Sequence, residues 1–197
     1  MKLHIGAFNS SIDGWYNTDI TPHLWIAHIP LLPFFLHKLG KMTDERYAEH
    51  EAKVFNRVKY LDVTKTLAFP DDSIDAIFSS HVMEHLFMNE VEKLIPEFRR
   101  VLKTGGICRV VVPDLEKIIT QYDVNDPRKF LTDIFEVSQR GEVKNSHHCG
   151  FTGNFLINLF SEAGFSKCSV LQYQVGNCPD IDKLDNRPDS IFFEAVK

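Results

Sequence analysis

Short apolar runs, each ending near a glycine, an acid or a proline, alternate along this chain with longer segments of helical periodicity. These runs predict β-strands at 2–6, 15–20, 58–63, 74–79, 107–112, 169–174 and 190–196. Strands that alternate with helices imply right-handed crossovers and a parallel sheet with helices on both faces. The last two strands have no helix-length segment between them, so we expect them to pair antiparallel at one edge.

Helical periodicity predicts helices over 43–57, 82–102, 115–122, 129–137 and 154–163. Pro96 is a candidate break in the second helix, and the KTGG sequence at 103–106 is expected to end it. The apolar stretch 24–39 contains two prolines and two histidines and is shorter than the roughly 20 apolar residues of a membrane-crossing helix. We interpret 24–57 as an inserted, lid-like helical segment, with peripheral contact to a membrane or a partner through 24–39 as the alternative.

Length and composition favour a single domain that spans residues 1–197. With 44% hydrophobic residues the chain can fill a core without a stabilising disulfide or metal ion. The net charge of −5 and the absence of a basic run argue against nucleic acid as a partner. The four cysteines form no C-x-x-C pair and no signal segment is visible, so we expect a cytoplasmic protein without disulfides. The sequence leaves the oligomeric state open.

Ligands of open parallel sheets bind outside the carboxyl ends of the strands, where this chain places Gly6, Asp19, Asp62 and residues 79–81. A glycine lets the backbone approach a ligand, and a carboxylate can accept hydrogen bonds from a ribose or an exocyclic amine. No G-x-x-x-x-G-K-[ST] loop is present, and two carboxylates would repel phosphates. The pattern therefore predicts a site for adenosine that carries no triphosphate.

Four segments resemble class I S-adenosylmethionine-dependent methyltransferases: YNTDI at 16–20, YLDVTKTLAFPDDSIDAIFSSHVMEHL at 60–86, FRRVLKTGGICRVVVPDLEKI at 98–118 and FSEAGF at 160–165. The resemblance covers about residues 2–175. It implies a Rossmann-like, doubly wound α/β sheet of order 3-2-1-4-5-7-6 with the last strand antiparallel, and S-adenosylmethionine as the cofactor. It places the cofactor against Gly6, Ala7, Asp19, Ile20, Asp62, Val63, Ser79 and Ser80. The acceptor substrate would face His81, a candidate general base, together with His85, Asp114, His147 and His148.

Two departures from that family pattern affect the prediction. Phe8 stands where the family has a second glycine, and only 13 residues separate Gly6 from Asp19, too few for the usual first crossover helix. The segment 14–19, GWYNTD, resembles branches of the family associated with sugar or cell-envelope biosynthesis. We therefore expect methyl transfer to a small-molecule or glycan-linked acceptor. If Phe8 blocks the cofactor, the alternative is a non-catalytic binding or scaffold domain.

A second alternative is a zinc-dependent hydrolase, because residues 81–85, HVMEH, fit the H-x-x-E-H pattern of zinc peptidases. His147, His148 and Cys149 would be the further ligands. This alternative requires the motif inside a helix, whereas His81 directly follows a predicted strand, so we predict no metal site.

Some of the candidate acceptor residues could instead have purely structural roles. His85 could stabilise the strand–helix junction, and Asp114 could cap a helix. His147 and His148 could lie beside a helix cap at Thr152. Arg187 could bind an acidic acceptor or form a surface salt bridge.

Overall fold

The computed structural model describes residues 1–136 and 146–197. In these residues one sheet contains β1 (Lys2–Ile5), β2 (Trp15–Asp19), β3 (Lys59–Tyr60), β4 (Ile74–Ser80), β5 (Leu102–Pro113), β6 (Ser166–Leu171) and β7 (Ser190–Val196). The strand order is β3-β2-β1-β4-β5-β7-β6, and β7 runs antiparallel to both β5 and β6. The predicted Rossmann-like fold, its strand order and its antiparallel last strand are confirmed.

The helices of the described residues are α1 (His23–Ile26), α2 (Leu32–Lys38), α3 (Asp44–Glu51), α4 (Met88–Val101), α5 (Leu115–Thr120), α6 (Pro127–Phe135), α7 (Gly153–Glu162) and α8 (Ile181–Leu184). Two 3₁₀ turns, Val54–Arg57 and Met83–His85, precede β3 and α4. Helices α4 and α7 bury their apolar sides against one face of the sheet, where Phe98 and Phe160 are completely buried. This face holds the main core.

The first crossover helix is absent, and the opposite face of the sheet is covered by residues from late in the chain. Trp15 and Phe78 pack there against Cys178 and Leu184. The Trp15 indole also donates a hydrogen bond of 2.9 Å to the Asp180 carboxylate. The segment 173–189, between β6 and β7, therefore occupies the face that the short β1–β2 connection leaves bare.

A buried ion-pair group holds this late segment in place. The Arg109 guanidinium on β5 is fully buried and pairs with the carboxylates of Asp185 and Glu194. The same guanidinium donates to the Val175 carbonyl at 3.0 Å. A buried charge is tolerated only when partners replace its lost hydration, and here three partners surround it.

The short β1–β2 connection is closed by Asn17. Its side-chain carbonyl accepts from the Ile12 backbone at 2.9 Å, and its amide donates to the carbonyls of Ile12 and Trp15. The same carbonyl lies 3.1 Å from His4 Nδ1. Gly14 takes a φ of +81°, which favours glycine. Gly14 and Asn17 of the 14–19 segment thus stabilise the short connection that replaces a crossover helix.

Several predicted boundaries are wrong. Strand 58–63 is reduced to β3, and β5 begins at Leu102 because the 103–106 sequence forms a bulge between two paired stretches. Strand 169–174 lies three residues too late, since the Gln174 backbone leaves the sheet to donate to Asp185 at 3.0 Å. The helix predicted over 43–57 is α3 followed by a 3₁₀ turn. The predicted end of helix 129–137 lies outside the described residues.

The helix predicted over 82–102 starts only at Met88. Leu86 and Phe87 are extended, and the Glu90 carboxylate accepts from the Phe87 backbone at 2.9 Å to cap the helix. Pro96 lies inside α4 and does not divide it. The prediction that the helix ends before the KTGG sequence is confirmed.

Candidate active site

The loop after β1 begins at Gly6, which the structure places at the carboxyl end of the sheet. Its φ is +77°, and its amide and that of Ala7 both donate to the Thr18 carbonyl at 3.0 and 2.9 Å. A Cβ at this position would overlap Val82 Cγ2 and approach the Ser80 carbonyl to 3.2 Å. Glycine is therefore required here for the close approach of the loop after β4.

Phe8 also has a positive φ, +41°, and its ring packs into the inserted segment. The ring lies 5.8 Å from the Phe55 ring and 6.1 Å from the His23 ring, and the Arg46 guanidinium lies 4.5 Å above it. Phe8 therefore joins the loop after β1 to residues 23–55, and it also lines the cleft beside Gly6.

Asp19 is the last residue of β2, and its carboxylate connects the loop after β1 to the loop after β2 by hydrogen bonds. One carboxylate oxygen accepts from the Phe8 backbone at 3.0 Å, and the other accepts from the Thr21 backbone at 2.7 Å. Burial raises the pKa of this carboxyl, and these backbone donors oppose the rise. The Ile20 backbone also acts on this carboxylate, and a carboxylate has about four acceptor positions, so acceptor capacity remains for a ligand hydroxyl. Next to it, Ile20 is 63% exposed and offers an apolar surface.

Asp62 follows β3, and its carboxylate forms hydrogen bonds within the turn that it begins. It accepts from the Thr64 backbone at 3.1 Å and from the Thr64 hydroxyl at 2.7 Å, and Lys65 lies 3.1 Å away. The Thr64 hydrogen bond is the main reason that the pKa of Asp62 is lowered. Val63 is buried in the main core, so its side chain is not available to a ligand.

Ser79 and Ser80 at the end of β4 point to opposite faces of the sheet, as alternation requires. Ser80 lines a cleft of about 100 Å³ beside Gly6, which we call the glycine-loop cleft. Ser79 is 1% exposed and lines neither this cleft nor the cavity described below. Sequence reasoning missed several other residues of the cleft wall, among them Lys183 and His4. The one available signal was His4 itself, a polar residue within an apolar strand.

His81 has a φ of +51° and both ring nitrogens face partners. Nε2 lies 3.0 Å from the Ser190 hydroxyl, and Nδ1 lies 3.0 Å from Glu84 Oε1. The Glu84 carboxylate lies beside the ring as an ion-pair partner, although neither of its oxygens forms a hydrogen bond in the described part of the chain. Chemically, the arrangement allows Nε2 to accept a proton delivered through the Ser190 hydroxyl.

A larger cavity of about 310 Å³, which we call the histidine cavity, opens between the end of β5 and the loop 147–151. Its apolar wall comes from Pro113, Leu115, Ile118, Ile134, Phe135 and Phe151. Its polar groups include Glu84, His147 and His148. Two backbone hydrogen bonds fix this wall, because the amides of His148 and Cys149 donate to the Glu84 carbonyl at 2.7 and 3.3 Å.

The predicted acceptor residues have distinct roles around the histidine cavity. The His85 and His147 rings are in edge contact at 5.0 Å, and the His148 ring stacks on Phe87 at 4.3 Å. Burial is the main cause of the lowered pKa of His147. Asp114 is outside the cavity lining, because its carboxylate caps α5 by accepting from the backbones of Glu116 and Lys117 at 3.0 and 3.2 Å.

The structure does not support the H-x-x-E-H zinc hydrolase. Met83–His85 is a 3₁₀ turn outside any α-helix, and the His81 ring is directed to Ser190. His81 and His85 therefore do not form the paired ligands of a helical zinc motif. Cys149 Sγ contacts the carbonyls of Met83 and Leu86, and burial raises the pKa of its thiol to about 11. Thr152 caps α7, accepting from the Phe155 backbone at 3.2 Å, so the predicted cap is confirmed.

The inserted segment 24–57 contacts the body of the protein at a small separate core. Leu24, Phe55 and Val58 are buried there against Ala7. On its outer side the exposed apolar residues are Trp25, Ile29, Leu31, Phe34, Phe35 and Leu39. Across the described ranges 1–136 and 146–197, no helix has both the length and the apolar character that a membrane crossing requires.

Comparison with known proteins gives the same architecture. A family described as "Methyltransferase domain" matches residues 40–110. A SAM-dependent methyltransferase from Thermotoga maritima, described as a possible histamine N-methyltransferase, superposes with a TM-score of 0.54 at 19% identity, covering 100% of this chain and 81% of its own. A Methanosarcina mazei SAM-dependent methyltransferase gives 0.53 at 17%, covering 99% and 91%.

The chain has the fold of the SAM-dependent methyltransferases. A third structure, described as "PigF with SAH", has a TM-score of 0.51 and 13% identity, and the match covers 99% of this chain but only 49% of PigF. At these identities the similarity establishes the fold, so the activity has to be argued from the site.

Proposed function

We propose that the protein transfers the methyl group of S-adenosylmethionine to a small-molecule or glycan-linked acceptor. The observation that carries the proposal is the joined pair of loops after β1 and β2, in which Asp19 binds the Phe8 backbone directly behind Gly6. In this fold the cofactor lies at that position, outside the carboxyl ends of the central strands. The methyltransferase folds described above support the same cofactor.

The residues present fit the cofactor's chemistry. Gly6 and Ala7 offer backbone without bulk, the free lone pairs of Asp19 suit a ribose diol, and the exposed Ile20 suits the face of an adenine. The glycine-loop cleft encloses about 100 Å³, less than the roughly 300 Å³ of a small ligand pocket. The cofactor would therefore bind partly on the open edge beside Ile20 and Asp62.

When bound, the cofactor would supply a methyl group activated as a sulfonium, and its sulfur would keep the electron pair of the S–CH₃ bond, so that it would leave as the thioether S-adenosylhomocysteine. The protein's main task is alignment of the acceptor with the sulfonium. The acceptor proton would leave to His81 Nε2 through the Ser190 hydroxyl.

The histidine cavity is the proposed acceptor pocket. Its volume of about 310 Å³ and largely apolar wall suit a small molecule or one residue of a larger glycan-linked acceptor. The inserted segment 24–57 is proposed as a lid that excludes water at the cofactor side, because Phe55 and Phe8 join it to the loop after β1. The cysteine pattern favours a cytoplasmic site of action.

The alternative is a methyltransferase-like domain that binds a partner without catalysis. It was motivated by Phe8, whose ring the structure packs against Phe55, His23 and Arg46. These contacts hold the ring against residues 23–55, which favours cofactor binding over obstruction. The two functions differ in whether the cofactor binds.

The test is calorimetric titration of S-adenosylmethionine and S-adenosylhomocysteine into the parent chain, Asp19→Ala and the control Asp13→Ala. Asp13 lies in the same β1–β2 connection, is exposed, and is 3.7 Å from Arg57. We expect micromolar binding that Asp19→Ala weakens at least tenfold, about 1.4 kcal/mol, and that Asp13→Ala leaves unchanged. A folded parent that binds neither compound would refute the enzyme and favour the binding domain.

A further inference from the structure

The loop 147–151 brings His147 to the 3₁₀ turn that carries Glu84 and His85, although 63 residues separate His147 from Glu84. One possible ligand atom from each of these three side chains lies within 4.8 Å of the other two. Two imidazoles and one carboxylate form a donor set typical of divalent transition metals. The H-x-x-E-H pattern pairs His81 with His85 as ligands, whereas in this group the Glu84 carboxylate takes the place of His81.

The Glu84 carboxylate is the strongest indication that a ligand belongs here. Its side chain is 1% exposed, and neither carboxylate oxygen has a hydrogen-bond partner within the described part of the chain. His81 Nδ1 lies 3.0 Å from Oε1 but outside hydrogen-bond geometry. A buried carboxylate that lacks hydrogen bonds is unfavourable unless a cation neutralises it.

The two histidines are oriented as metal ligands usually are. His147 Nδ1 lies 3.1 Å from the Ile134 carbonyl, and His85 Nδ1 lies 3.3 Å from the Ser146 carbonyl. A carbonyl can only accept, so Nδ1 carries the hydrogen in both rings and Nε2 keeps its lone pair. Backbone carbonyls that fix the tautomer in this way are the common second contact of a metal-binding histidine.

We propose that Glu84, His85 and His147 bind one divalent transition-metal ion at the wall of the histidine cavity. Glu84 and His147 both line that cavity, so the positions that the protein leaves open on the metal face it. An oxygen-bearing ligand, such as a hydroxyl or carboxylate group, would occupy those positions. Metal binding stands independently of methyl transfer; the further step, that this oxygen belongs to the methyl acceptor, rests on the proposed function.

The test begins with protein stripped of metal by a chelator and titrated with ZnCl₂ and, separately, MnCl₂ and MgCl₂, without cofactor. We expect one Zn²⁺ per chain by calorimetry and by elemental analysis after desalting, with at least tenfold weaker binding in His147→Ala and in Glu84→Gln. His148→Ala is the matched control, because His148 lies in the same loop but stacks on Phe87 outside the three-residue group. Its Zn²⁺ affinity should equal that of the parent.

A second measurement guards against a misfolded variant. Co²⁺ bound by the parent should give visible absorption bands that Glu84→Gln changes while its circular dichroism stays that of the parent. Binding of Mg²⁺ alone, absence of stoichiometric Zn²⁺ on the folded parent, or equal losses in His148→Ala and His147→Ala would each overturn the proposal. Because no cofactor is present, these results are distinct from a failure of S-adenosylmethionine binding.

Discussion

Gly6 shows how one residue without a side chain sets the geometry of the proposed cofactor loop. Gly6→Ala adds a methyl group that overlaps Val82 and forces alanine to a φ of +77°. We expect destabilisation of about 2 kcal/mol or more, because strain and overpacking act together. Urea denaturation measures the change.

Gly14→Ala is the matched control for this substitution. Gly14 has a similar φ of +81°, but a Cβ there would meet no atom within 4 Å. Only the backbone strain remains, so we expect about 1 kcal/mol. Equal effects of the two substitutions would show that the contact with Val82 is unimportant.

His4 gives the fold a dependence on pH. Burial lowers its pKa from the ordinary 6.5 to about 4, while the hydrogen bond with Asn17 opposes the shift. Between these values the unfolded chain binds a proton that the folded chain does not, so stability falls as the pH drops from about 6.5 to 4. The largest contribution is roughly 3 kcal/mol.

Comparing denaturation of the parent and His4→Gln across this pH range isolates that contribution. The variant should lose less stability than the parent on acidification, since its side chain does not titrate. His23, His50 and His147 also have lowered pKa values, mainly through burial, and contribute alike to both proteins. Parallel pH profiles for the two proteins would contradict the assignment to His4.

At the scale of elements, the late segment 173–189 depends on the buried Arg109. Asp185→Asn removes one of its two carboxylate partners in a site without solvent. We expect a loss of about 3 kcal/mol in the free energy of unfolding, because an amide group there would face buried N–H donors of Arg109 and Gln174 that the carboxylate now satisfies.

An exposed ion pair provides the comparison. Asp189 lies 2.5 Å from Lys117 with its side chain 85% exposed. Asp189→Asn should change the unfolding free energy by less than 1 kcal/mol in the same denaturation experiment. A cost for Asp185→Asn no larger than this would mean that Arg109 does not anchor the segment.

The elements themselves were largely predictable, whereas the groups they bring together were not. Apolar runs located β1, β4 and β7 to within one residue, because strands inside the sheet are covered on both faces and have few polar positions. The start of α4 was missed, since its apolar stripe continues through Leu86 although the backbone there is extended. The contact of His147 with Glu84 depends on loop 147–151, which no local pattern specifies.

For the whole molecule, cofactor binding and folding are linked. S-adenosylhomocysteine at 100 times its dissociation constant should stabilise the native state by about 2.7 kcal/mol. For a domain of this size that corresponds to a rise in Tm of about 5–10 °C. Differential scanning calorimetry of the parent should show this rise. A parent that binds the compound but melts unchanged would indicate equal affinity for the unfolded chain.

The cover over the β1–β2 face also has a consequence during synthesis. Trp15 finds its hydrogen-bond partner, Asp180, 165 residues later. At about 5–20 residues per second, a ribosome needs roughly 10–30 s to make the intervening chain. During that interval the aromatic side chains on the β1–β2 face lack the segment 173–189 that buries them in the folded protein. We infer that chaperones which hold hydrophobic nascent segments are most needed before residue 173 has emerged.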